Sequence, residues 1–192
     1  MIEVAFVKEL AYSALEKHKA RWNHTEHVAA LANRLALHYG ADPRKAEIAA
    51  YMHDVTKYWP VEKAKQVAAT YYSTEFIDSY PQPTLHAISS AAYAKSQGIE
   101  DEDIIHAILF HPTGRKQMSL LEKILFVSDY AEESRSFYNQ DIAKTAFVNL
   151  DKAVYDILLG KMKHLKQSSQ TISSNSLEAL AHYQNLLNGG ME

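Results

Sequence analysis

Apolar residues recur every three or four positions through almost the whole chain, a period that predicts an all-α fold, and capping signals place the individual helices. Residues 1–19 carry charges inside every short apolar run and lack a basic leader ahead of a continuous apolar stretch, so they read as an amphipathic helix and not a secretory signal. Asn23 and Glu26 make a capping-box-like start for a helix with Val28, Leu31 and Leu35 on one stripe, ended by Gly40. Asp42 followed by Pro43 opens another, with Ile48, Met52 and Val55 facing inward and an end near Lys57-Tyr58-Trp59-Pro60. Pro81 and Pro83 break the chain before Thr84 caps a helix running through Leu85, Ile88 and Ala92 to Gly98. Asp101 begins a short helix carrying Ile104, Ile105 and Ile108, which Pro112 and Gly114 stop. Ser119 and Glu122 form a capping box ahead of Leu121, Leu125 and Asp129; ILFVSDY alone would suit a strand, and the box decides for helix. Beyond Arg135 the pattern predicts a long helix around residues 145 to 166, a loop at SSQTISSNS, and a last helix before the Asn-Gly-Gly end at 188–190.

A chain of 192 residues with one unbroken pattern and no linker is expected to form a single domain, with a motif-bearing core at about 21–135 and C-terminal helices packed on it. The net charge of −3 is spread over mixed signs, so no basic stripe exists to neutralise a nucleic-acid backbone. No apolar run approaches the roughly 18 residues that span a bilayer, so no membrane is expected as a partner. With no cysteine in the chain, disulfides and thiol nucleophiles are excluded, a cytoplasmic location is expected, and any metal must rest on His, Asp or Glu. Ten histidines are therefore the place to look, since imidazole is the commonest metal ligand and titrates near neutrality.

His53 and Asp54 are adjacent at the end of an apolar helix. Neighbouring helical residues point about 100° apart, so the two converge only on something above the helix end, such as a metal. A carboxylate can bridge two cations while the imidazole holds one. An isolated pair of this kind is ordinarily surface decoration, and its surroundings are what argue otherwise. Asp129 follows Leu121 and Leu125 at four-residue spacing and so faces the core, where an unpartnered carboxylate is costly. His24 shares the Val28 and Leu31 stripe, His86 lies in the first turn of its helix, and His111 lies on the Ile104 and Ile108 face. Each inward histidine alone could be a satisfied core residue; four with two acids point to a metal centre. His18, His38, His106, His164 and His182 read as solvated or structural. His27, one turn from His24, is a candidate to line the same cavity as a relay or substrate contact.

The ordered set His24, His53-Asp54, His86, His111 and Asp129 resembles the HD-domain superfamily of metal-dependent phosphohydrolases. The surrounding words RWNHTEHV, YMHDVTK, LHAISSAA, FHPTG, MSLLEKILFVSDY and Arg135 narrow the resemblance to the bacterial YqeK-like family of symmetrical diadenosine tetraphosphate hydrolases. That likeness spans Arg21 to Arg135 and implies a helical fold with two divalent ions, iron by resemblance and manganese or zinc by ligand type. It implies one metal on His24, His53, Asp54 and Asp129, and a second on His86 and His111 with Asp54 bridging. Pro112 stands where the family pattern has threonine, Ser128 where it has alanine, and ISSNSLEALAHYQ lacks a usual threonine and asparagine, departures that spare the ligands.

Two divalent ions can acidify water and grip phosphoryl oxygens together. The expected reaction is cleavage of the tetraphosphate into two ADP, with Asp54 essential and a nucleotide as the small-molecule partner. Lys57, one turn from His53, and Arg135, just past Asp129, are the candidate cations that would draw a polyphosphate into the site, and Arg21 a weaker one that would brace it. Hydrolysis of a nucleoside monophosphate, a deoxynucleotide or a guanosine alarmone, di-iron oxygenation, and non-catalytic nucleotide sensing are the alternatives. Whether the chain acts as a homodimer is left open.

Overall fold

The structure, a computed structural model, describes residues 2–80, 82–135 and 140–189, and within them every regular element is helical. Pro81 and Gly190, two of the sequence signals, lie outside the described residues.

Helix α1 (Val4–Leu15) buries Val7, Ala11 and Leu15, the stripe expected of an amphipathic helix. Helix α2 (Lys19–Tyr39) begins a turn before the expected Asn23. Trp22 packs edge-on to Tyr12 at 5.1 Å and stacks on Tyr51 at 6.1 Å, so tertiary contact ties down the extra turn. The carbonyl of Asn23 then accepts from His27, and no cap is made there. Arg21 thereby becomes helical, one turn ahead of His24. Helix α3 (Pro43–Met52) starts as expected, with the Asp42 carboxylate accepting from the Arg44 amide. It ends sooner than expected, because Thr56 pulls the chain away. Its hydroxyl donates to the His86 carbonyl at 3.0 Å and meets the hydroxyls of Ser89 and Ser90 at 2.6 and 3.0 Å.

Two helices that the apolar pattern left unmarked follow, α4 (Val61–Ala68) and α5 (Thr74–Asp78), before α6 (Leu85–Ser96). Thr84 precedes α6 without a side-chain cap, after a 3-10 turn at Gln82–Thr84. Helix α7 (Glu102–Phe110) takes its cap from Asp101, whose carboxylate accepts from the amides of Asp103 and Ile104. Gly114, at φ +64, a backbone region that side chains rarely adopt, then turns the chain back.

Helix α8 (Leu120–Ala131) carries the complete capping box: the Ser119 hydroxyl accepts from the Glu122 amide and the Glu122 carboxylate from the Ser119 amide. Arg115 clamps the same carboxylate from Nε and Nη2 at 2.6 and 2.9 Å. The expected long helix after 145 is two helices, α9 (Gln140–Val148) and α10 (Leu150–Gln167). Asn149, with extended φ and ψ, breaks them and caps the second by accepting from the Lys152 amide. Of SSQTISSNS, the last three residues are already helical in α11 (Ser174–Leu187).

α2 packs most extensively on α3, and α8 lies against α2, α3, α7 and α10. Buried apolar side chains from Val7 to Tyr183 form one connected core. None of the described helices is long and apolar enough to cross a membrane.

Candidate metal centre

Burial first selects the side chains. His24, His53, Asp54, His86 and His111 are all buried, His53 completely, and Asp129 is 15 % exposed at its carboxylate. They come from α2, the end of α3, the start of α6, the end of α7 and the end of α8, and they converge at one point between these helices. His24, His53 and Asp129 bring one ligand atom each within 4.8 Å of one another, and so do His53, Asp54 and His111.

Each imidazole is held by its Nδ1. The N–H of His53 donates to the Ala50 carbonyl at 2.6 Å, that of His86 to Pro83 at 3.0 Å, and that of His111 to Ile108 at 2.7 Å, always three residues back. His24 donates instead to the Glu132 carboxylate at 2.9 Å. A proton on Nδ1 leaves Nε2 as a bare lone pair, the form in which imidazole binds metals. All four Nε2 atoms face inward. Those of His24 and His53 are fully buried and make no hydrogen bond, and the same holds for Asp54 Oδ1. His86 Nε2 and His111 Nε2 stand 3.3 Å apart, an unfavourable meeting of two lone pairs unless a cation lies among them. Lys57 shows where positive charge belongs, since its Nζ sits 3.0 Å from His86 Nε2 and 3.7 Å from Asp54 Oδ1.

Asp54 faces two sets of groups with its two oxygens. Oδ2 accepts from Arg21 at 2.8 Å and lies 3.3 Å from His53 Nε2. Oδ1 lies 3.1 Å from His86 Nε2 and 3.8 Å from His111 Nε2. That division suits a carboxylate bridging two cations. Asp129 Oδ1 is 3.1 Å from His24 Nε2 and 3.8 Å from His53 Nε2.

The electrostatics agree. Burial alone would raise Asp54, but the adjacent His53 and His86 outweigh it and hold the carboxyl well below its usual range. Asp129 is likewise lowered against burial, by His24 and Arg135. Burial opposes a proton on His53, yet Asp54 and Asp129 draw one on; burial and the neighbouring imidazoles keep His111 well below neutrality. The pocket thus sets two ionised carboxylates against inward-facing imidazoles, and divalent cations fit that donor set.

The cavity over this cluster has a volume of about 280 Å³ and is bordered by Arg21, Lys57, Arg135 and Lys161. Arg135 lines it as expected, but its fork also grips Asp129, donating to Oδ1 and to the main-chain carbonyl, each at 2.6 Å from Nη2. His27 does not line the cavity. Its ring is tethered to the Asn23 carbonyl, and it borders a separate pocket with Arg34 and Glu133. The expectation of a shared cavity is corrected: although one turn from His24, the ring is held by the Asn23 carbonyl beside the other pocket.

Three groups escaped the sequence reading. Glu132 is buried and pins His24; its only sequence signal is a three-residue step from Asp129. Thr56, with Ser89 and Ser90, ties the His53-Asp54 turn to the helix of His86. Lys161 donates to the Pro112 carbonyl at 2.7 Å, and burial lowers its pKa to about 8. A lysine set within the stripe Leu158, Met162 and Leu165 was the signal for it.

The HD domain family profile matches residues 21–133. The chain is 39% identical over 169 residues to a protein of Halalkalibacterium halodurans named symmetrical bis(5'-nucleosyl)-tetraphosphatase, covering 87% of this chain and 89% of that one. A protein of the same name from Bacillus subtilis is 36% identical over 154 residues, covering 79% and 83%. Among solved structures, one described as a predicted HD superfamily hydrolase involved in NAD metabolism, from Clostridium acetobutylicum, superposes with a TM-score of 0.88 at 32% identity. It covers 97% of this chain and 99% of that one.

Proposed function

Because this chain belongs to the HD-domain family, we propose that it is a metal-dependent hydrolase that cleaves diadenosine tetraphosphate symmetrically into two ADP. The observation that carries the chemistry is the set of buried, unpartnered Nε2 and carboxylate atoms turned toward one point, with Asp54 dividing its oxygens between two groups of imidazoles. His24, His53, Asp54 and Asp129 would hold one cation, and His86 and His111, with Asp54 shared, a second. Divalent cations bound there supply Lewis acidity toward phosphoryl oxygens and acidify water near neutral pH. Iron is the expected metal, and the cytoplasm the expected place of action.

The chain's own residues do the remaining work. Glu132 and the three carbonyls keep each imidazole in the tautomer that presents Nε2. Arg21 and Arg135 orient Asp54 and Asp129. Lys57, Arg135 and Lys161 bring positive charge to the cavity wall, where a polyphosphate would otherwise meet a net-negative protein. Water attacks a phosphorus flanking the central anhydride, the bridging P–O bond breaks, and the departing ADP carries the electron pair. Two ADP result, with no covalent intermediate.

The test is to purify the protein anaerobically, count its metals, and incubate it with diadenosine tetraphosphate beside Asp54→Asn. Two ADP from the native protein alone support the reading; AMP with ATP, or equal turnover by the variant, overturns it.

A further inference from the structure

A molecule with two identical nucleosides meets unlike surroundings at its two ends when it lies across one asymmetric chain. One setting is the metal cavity, whose outer wall combines Leu158, Met162 and Leu165 of α10 with Pro112 and the polar Gln170 and Thr171. A second pocket, of about 460 Å³ and largely apolar, adjoins it on the other flank of α10, lined among the described residues by Tyr130, Gly160, Lys161, His164 and Leu165. Lys161 and Leu165 border both spaces and form the partition between them.

Three features suit this pocket to a nucleoside. Tyr130 and His164 offer flat rings against which a purine can stack. The ammonium of Lys161 stands at the partition, 2.7 Å from the carbonyl of Pro112, the residue after His111, where a phosphate chain passing from one space to the other would run. Gly160 interrupts the interior of an 18-residue helix, where alanine would be favoured. The protein's own packing does not ask for it, since a Cβ there would meet only the Tyr130 hydroxyl, at an ordinary 3.7 Å. The missing side chain keeps the pocket floor open.

We propose that the pocket of Tyr130, Gly160, His164 and Leu165 is the second nucleoside subsite, with Lys161 holding the phosphate chain where it crosses from the metal cavity. The assignment rests on the symmetrical tetraphosphatase reading, and its test separates the two. Gly160→Leu fills the pocket from an exposed floor, and Gly160→Ala fills it less while favouring the helix. Hydrolysis of diadenosine tetraphosphate is compared with that of adenosine tetraphosphate, which has a nucleoside at one end only, and ADP binding to the metal-loaded protein is counted by calorimetry. The ratio of kcat/KM for the two substrates is expected to fall about tenfold in Gly160→Leu and less in Gly160→Ala, and bound ADP to fall from two per chain to one. An unchanged ratio with unchanged ADP stoichiometry overturns the subsite. Two ADP bound by the native protein, reduced to one by Gly160→Leu, with no cleavage of the dinucleotide, would keep the subsite as a nucleotide site and overturn the tetraphosphatase reading instead.

Discussion

Three of the four inward imidazoles are oriented by their own stretch of chain and the fourth by a residue 108 positions away. His53, His86 and His111 each donate to a carbonyl three residues back, so the turn that carries the ring also aims it. His24 sits inside α2 and its Nδ1 is held by Glu132, at the end of α8, whereas its neighbour His27 turns Nδ1 back to the Asn23 carbonyl of the same helix. The ring of His24 points into the core and takes its partner from across it, so that contact exists only once α2 and α8 are docked.

The comparison can be broken most severely at His53, which faces both carboxylates. His53→Gln is expected to lose metal and to lower kcat by about a thousandfold, the scale of several kcal/mol of metal-supplied stabilisation; metal analysis with steady-state kinetics measures both. Glu132→Gln tests the long-range pin alone. An expected loss of about 10–100-fold in metal affinity, read by competition with a chelator, is typical of a missing outer partner, and an unchanged affinity would show that His24 needs no pin.

Thr56→Val removes the hydroxyl that joins the His53-Asp54 turn to α6 and leaves the His86 carbonyl, Ser89 and Ser90 each one partner short. Denaturant unfolding should show a loss of about 1–3 kcal/mol. Ser119→Ala, at the capping box of α8, removes the cap together with the hydroxyl's bond to Asp103 and should cost about 1 kcal/mol and lower Tm by about 2–4 °C.

A last effect is confined to alkaline pH. Lys161 titrates near 8 in the folded chain against 10.5 in the unfolded one, so between these values the unfolded chain binds more protons and stability rises with pH. Urea unfolding of the native protein and Lys161→Met from pH 8 to 10.5 should show this rise in the native protein and its absence from the variant.

Much of this was legible in the chain itself. The caps at Asp42, Asp101 and Ser119 formed where their side chains predicted, because each satisfies amides two or three residues away. Helix ends shaped by distant partners were not: α2 starts early through Trp22, and α3 stops early through Thr56. Asn149 could have been read as a cap, but the apolar period continues across it and hid the break.

The sequence by itself determined the helical class, the six inward acids and imidazoles, and the cations nearest them in the chain, because periodicity and capping act over a few residues. Tertiary structure alone decided that Glu132 holds His24, that Lys161 reaches the cavity, that Arg135 grips Asp129, and that His27 turns to another pocket. Those contacts depend on the distance and rotation between docked helices, which follow from the packing of whole faces and leave no fixed spacing along the chain.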